Sequence, residues 1–162
     1  MSAILFIEAN AEITELVHTY FNKEDDIQVT VVTNVQEARA AIEQAFFDLL
    51  VVDVIDGALG DQSIEFVKEL RMEGIWIPAC CYTTRSKEDV LERVSGYNCL
   101  DLIPKDVSPD DMVSKVKDML YITSEQGQKE LSDVADLADE IHKQFDNLLV
   151  QMNSCCTPQI QS

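Results

Sequence analysis

The chain has 162 residues, 46% of them hydrophobic, which suits one domain with a real core plus an appendage and excludes a disordered chain. Thirty Asp and Glu against 12 Lys and Arg give a net charge of −18, so a nucleic-acid backbone and an anionic membrane are both excluded as natural partners. The apolar runs fall short of the roughly 18 residues a membrane span needs.

Residues 3–8 (AILFIE) read as a short apolar strand. Residues 11–23 place Ile13, Leu16, Val17, Tyr20 and Phe21 at helical spacing. Residues 27–33 are β-branched and predict a strand. Residues 34–45 predict a helix, with Asn34 as N-cap and Glu37 in capping-box register. Residues 48–54 (DLLVVDV) form a continuous apolar strand, followed by an amphipathic helix over 60–73 and a strand over 75–83. The next helix, 86–96, opens on Ser86 with Asp89 three residues on and stops at Gly96. A short strand over 99–105 leads to a last helix over 108–120, capped by Ser108, with Pro109 and acids in its first turn.

Five strands thus alternate with five helices. Strands three and four are unbroken apolar runs, which implies burial on both faces, hence a parallel sheet covered by helices. Right-handed crossovers then make a doubly wound α/β domain. Ligand sites in such domains lie beyond the carboxyl ends of the strands. Those ends carry Glu8, Asp53, Thr83 and Thr84, and Lys105. Two acids, a hydroxyl and an ammonium suit phosphoryl transfer to a carboxylate. Asp53 would be the nucleophile, Thr83 and Lys105 would hold phosphoryl oxygens, and a divalent ion would neutralise charge. The plainer reading is structural: Lys105 balances Asp53, Glu8 is a strand-end acid, and Thr83 caps the loop before Ser86. A nucleotide-dependent enzyme is disfavoured, since EANAEI after strand one has no glycine.

Four stretches in order carry a resemblance: ILFIEAN, DLLVVDVIDGALGD, IPACCYTT and LIPKDVSPDDMVSKV. Residues 3–120 resemble a response-regulator receiver domain. The resemblance implies a flavodoxin-like sheet of order 2-1-3-4-5 over residues 1–122. It implies Asp53 as phosphoacceptor for a histidine kinase or phosphotransfer protein, with Thr83 and Lys105 assisting. It implies Mg²⁺ at Glu8, Asp53 and the backbone carbonyl of Ile55, and a signalling role in place of an enzymatic one. The alternative is a phosphorylation-independent pseudo-receiver acting as a scaffold or dimerisation module. Three departures bear on this. Ala9 stands where the family has its second acid, so a weakened Mg²⁺ site is expected. Asp106 stands where proline follows the lysine, which predicts a trans peptide bond or a differently shaped loop. Leu102 stands where the family has a switch aromatic.

After a polar linker, 123–128 (TSEQGQ), residues 129–153 predict an amphipathic or coiled-coil helix, and 154–162 a tail. Leu131, Val134, Ala138, Ile141, Phe145, Leu148 and Met152 follow a 3-4 spacing, the seam of a coiled coil. That seam predicts a homodimer, a fold-back on the first domain, or a downstream protein partner. The five Cys, without CxxC spacing, argue against a disulfide framework or zinc site. With a start that lacks a basic, then long apolar, signal, they fit a cytoplasmic protein.

Overall fold

The computed structural model describes residues 1–54, 58–94 and 99–155, apart from the side chains of 58–61, 87, 91, 93, 100 and 155. The order is β1 (Ser2–Ile7), α1 (Ala11–Phe21), β2 (Ile27–Val32), α2 (Val35–Gln44), β3 (Leu49–Asp53), α3 (Ala58–Met72), β4 (Ala79–Thr83), α4 (Lys87–Val94), β5 (Cys99–Pro104), α5 (Pro109–Thr123) and α6 (Glu125–Cys155). All strand pairs are parallel and the sheet order is β2-β1-β3-β4-β5. This is the flavodoxin-like arrangement expected from the alternating elements. The chain divides into a unit of Met1–Tyr121 and a unit of Ile122–Ser162.

Alternation along the strands sorts the core into two layers. Leu5, Ile7, Leu50, Val52, Cys81 and Leu102 pack with residues of α2, α3 and α4, such as Ala38, Leu70 and Val90. Ile4, Phe6, Leu49, Val51, Cys80 and Ile103 pack with Val17 and Phe21 of α1 and Met112, Val116 and Met119 of α5. Each of β1, β3 and β4 therefore needs apolar residues at successive positions, which is the physical origin of the unbroken runs. Burying a Leu or Ile side chain contributes about 1.5–3 kcal/mol.

Caps fix the element ends. Asn34 Oδ1 accepts the Glu37 N–H at 2.9 Å. The Glu37 carboxylate reaches back to the N–H of Thr33 at 2.9 Å, one residue earlier than a standard capping box. Gly74, at φ +81°, closes α3: its N–H donates to the Arg71 carbonyl and the Ile75 N–H to the Leu70 carbonyl.

Two elements begin elsewhere than the sequence predicts. The strand expected from residue 75 starts at Ala79. Pro78 has no N–H to donate, and the Arg71 guanidinium occupies the carbonyls of Ile75 and Ile77 at 2.9 and 2.6 Å. The second unit's helix begins at Glu125, inside the stretch read as linker. Ser124 is the reason: its side chain accepts the Gly127 N–H at 3.1 Å and its carbonyl accepts the Gln128 N–H at 2.9 Å. The seven seam residues all lie on α6, with the larger ones 52–64% exposed. Leu137 and Leu149 widen the apolar stripe. Among the described residues no helix is long and apolar enough to cross a membrane.

Candidate functional site

Each predicted rim residue is held by the ladder of the strand beside it. Glu8 follows β1 and donates its N–H to Val32 at 2.9 Å. Asp53 ends β3 opposite Tyr82. Thr83 ends β4, and its carbonyl accepts the N–H of Lys105, just past β5, at 2.9 Å. The sheet thus places four chemically active side chains at one edge. Ile55, expected to lend a carbonyl, lies outside the described residues.

The structure brings three of the four into direct contact. Lys105 Nζ lies 2.8 Å from Glu8 Oε2 and 2.8 Å from Asp53 Oδ2. All three side chains are at least 89% buried. Glu8 Oε1 is also engaged, accepting the Asn10 N–H at 2.8 Å. Asp53 Oδ1 is buried and has no hydrogen-bond partner among the described residues. Two carboxylates share one ammonium, so the cluster carries a net negative charge. Burial raises the Asp53 pKa from its ordinary 3.8 to about 6; Lys105 opposes that rise and the Glu8 charge adds to it.

Thr83 reaches the rim with its hydroxyl turned to the backbone. It donates to the Val54 carbonyl and accepts the Arg85 N–H at 3.1 Å. Tyr82 is buried against Phe6, ring centroids 5.4 Å apart in an edge arrangement, and Lys105 Nζ lies 5.1 Å from its ring. Leu102 is buried in the core. Among the described residues no peptide bond is cis, that between Lys105 and Asp106 included. A cavity of about 50 Å³ lies beside Asp53, lined also by Ala9, Thr33, Asn34, Gln62 and Ser63. Ala9 itself is exposed.

The sequence reading passed over Asn10. Its Oδ1 accepts the N–H groups of Glu12 and Ile13 at 2.9 and 3.4 Å, capping α1, while its own N–H orients Glu8. An Asn just before a helical apolar period was the available signal. Asn10→Ala is expected to cost about 1 kcal/mol. Urea unfolding at neutral pH measures it, and a midpoint equal to the parent's would refute the cap's contribution.

The family model of the response regulator receiver domain matches residues 4–117. No curated protein matches the chain. Among solved structures, the Francisella response regulator 1452 receiver domain is 24% identical, with TM-score 0.65, covering 76% of this chain and 100% of that one. The Vibrio cholerae chemotaxis protein CheY4 is 20% identical at TM-score 0.65, covering 74% and 98%. The BeF3-activated receiver domain of Klebsiella pneumoniae RstA is 22% identical at TM-score 0.63, covering 74% and 98%. These likenesses agree with the fold. The family model spans well over half of the residues, and the chain belongs to the response regulator receiver family.

Proposed function

We propose that this chain is a two-component response regulator whose Asp53 accepts a phosphoryl group from a histidine kinase or phosphotransfer protein, and which passes the signal on by protein–protein contact. Receiver domains are generally signalling modules, and they typically bind Mg²⁺ at their acidic pocket. The observation that carries the reading is Asp53 Oδ1, a buried carboxylate oxygen with no partner among the described residues. Its carboxyl, raised to about 6, is still mostly ionised at neutral pH and more basic than an ordinary aspartate. In the transfer, the phosphorus–nitrogen bond of the donor phosphohistidine breaks, its electron pair returns to the imidazole, and a bond to Asp53 Oδ1 forms. Lys105 balances the added charge. The Thr83 hydroxyl leaves the Val54 carbonyl to donate to a phosphoryl oxygen, and that exchange signals through β4.

The residues present fit Mg²⁺ weakly. Asp53 Oδ1 offers one orphaned oxygen, whereas both Glu8 oxygens are engaged and Ala9 supplies none. Asp53 and Glu8 would hold the ion, since Mg²⁺ manages with one or two carboxylates plus waters and phosphate. When bound it supplies charge neutralisation for the transferring oxygens.

The test is intact mass after incubating the full chain with a small acyl phosphate and Mg²⁺, beside Asp53→Ala. The expected result is a metal-dependent gain of one phosphoryl group, absent from the variant. No gain at saturating donor and metal sinks the proposal.

A second reading, a phosphorylation-independent scaffold, draws on the closed contact of Lys105 with both acids and on α6. The seam residues on α6 form an exposed apolar stripe, and most of the acids on this helix fall outside its flanks. Of the residues flanking the seam, Glu130 alone is acidic, and Ala135, Leu137, Gln144, Leu149 and Gln151 are uncharged, so two copies meet with little like-charge contact. On this reading the chain is a homodimer through Leu131, Val134, Ala138, Ile141, Phe145, Leu148 and Met152. Light scattering checks it: Ile141→Asp is expected to convert a dimer to a monomer, and a parent chain that is already monomeric at high concentration refutes it.

A further inference from the structure

We propose that Cys81 and Cys99 are a thiol pair that closes to a disulfide under a glutathione-type disulfide oxidant, stapling β4 to β5. The two sulfurs already share a hydrogen bond at 3.4 Å. Their closeness comes from a register irregularity. Ala79 pairs with Cys99 but Cys81 pairs with Leu102, so β5 carries one extra residue between the two pairings. That extra residue turns Cys99 to the sheet face of Cys81, and both join the layer covered by α3 and α4. Cys80 belongs to the opposite layer and does not compete. Closing the bond requires the sulfurs to approach by about 1.4 Å, from 3.4 Å to the length of a disulfide bond.

The two cysteines divide the work. Cys81 is 1% exposed, whereas Cys99 is only partly buried, so an oxidant meets Cys99 first. Arg71, on α3, stands as the nearby cation. Its two Nη groups donate to carbonyls, and its Nε is buried with no acceptor among the described residues. The hydrogen bond with Cys81 and the Arg71 charge pull the Cys99 thiol below its ordinary pKa, against the effect of burial. The same hydrogen bond, with burial, pushes the Cys81 thiol up. A lowered pKa on the more accessible sulfur is the pattern of an attacking cysteine beside its resolving partner.

The chemistry balances. Cys99 thiolate attacks one sulfur of oxidised glutathione, whose S–S bond breaks and whose other half leaves as a thiolate. Cys81 then loses its proton and attacks the Cys99 sulfur, expelling the second glutathione thiolate. Two cysteines lose two electrons, and one glutathione disulfide becomes two glutathione thiols carrying the two protons. The staple joins the strands that lead to Thr83 and Lys105, so it restrains the edge where the rim is built.

The experiment uses the full chain with Cys155→Ser and Cys156→Ser, which removes the thiols near the end, in a glutathione buffer stepped from reduced to oxidised. Intact mass and peptide mapping under native conditions read the products. The expected result is loss of two hydrogens and a peptide linked through Cys81 and Cys99. Adding Cys81→Ser is expected to trap one glutathione on Cys99. In the chain that retains both cysteines, limited alkylation is expected to label Cys99 before Cys81, a readout that needs no core substitution. The proposal is overturned if Cys81 and Cys99 both remain alkylatable in fully oxidised buffer, or if the bond forms through Cys80. Thiol content does not depend on Asp53, so failure here leaves the phosphoacceptor reading untouched.

Discussion

Asp53→Asn will be more stable than the parent chain at neutral pH in the absence of divalent metal, by about 3 kcal/mol, and the gain will vanish below about pH 4. The sign follows from the raised pKa. The Asp53 carboxyl ionises at 3.8 in the unfolded chain and at about 6 in the folded one. Between those values the native state holds a proton that the unfolded state has released. Stability from this group is therefore complete below 3.8 and falls as pH rises through about 6. Asparagine keeps a similar shape and never carries the charge. A shift of this size is worth roughly 1.4 kcal/mol per pKa unit, hence the figure above. In a chain of this length it raises the melting temperature by roughly 5 °C or more. The competing effect is the 2.8 Å contact to Lys105, which favours the ionised form. If it dominated, the folded pKa would lie below 3.8 and the variant would be the less stable one, by a constant amount, from about pH 5 upward. Thermal melts from pH 4 to 8 in chelator separate the two outcomes by sign.

The fold was legible because the sheet is buried on both faces. Leu49–Val52 must satisfy α1 and α5 on one side and α2, α3 and α4 on the other, and no alternating pattern does that. The rim was legible because strand ends in a parallel sheet converge whatever the side chains do. Details that depend on side-chain direction were not. Nothing in the spacing of Glu8, Asp53 and Lys105 shows that one ammonium bridges both acids, or that Thr83 prefers the Val54 carbonyl. The contact of Cys81 with Cys99 rests on an irregularity of one residue, which pattern reading cannot see. The start of α6 was misplaced for a different reason. Gly127 reads as a break, yet the Ser124 cap supports the first turn around it.

Ala9→Asp is expected to tighten Mg²⁺ binding at least tenfold, roughly the lower bound for restoring a group that a metal site uses. Ala9 is exposed at the cavity beside Asp53, so a carboxylate there has both room and solvent. The existing cluster holds two acids against Lys105. A third acid about 5 Å from a divalent ion would contribute roughly 7 kcal/mol of attraction at an effective dielectric of 20, before desolvation. A tenfold gain needs only about 1.4 kcal/mol of that. Without metal the same change is unfavourable. It adds like charge beside Glu8 and Asp53, raises the Asp53 pKa further and lowers stability at neutral pH. The signature is therefore a crossing: Ala9→Asp melts below the parent in chelator and gains more from millimolar Mg²⁺ than the parent does. Phosphoryl uptake from a small acyl phosphate should speed up in parallel at subsaturating metal. Unchanged Mg²⁺ affinity in a folded Ala9→Asp protein would mean that the acidic edge no longer has the shape of a metal site. The contact of Lys105 with Glu8 and Asp53 would then be a structural ion cluster, and signalling would rest on α6.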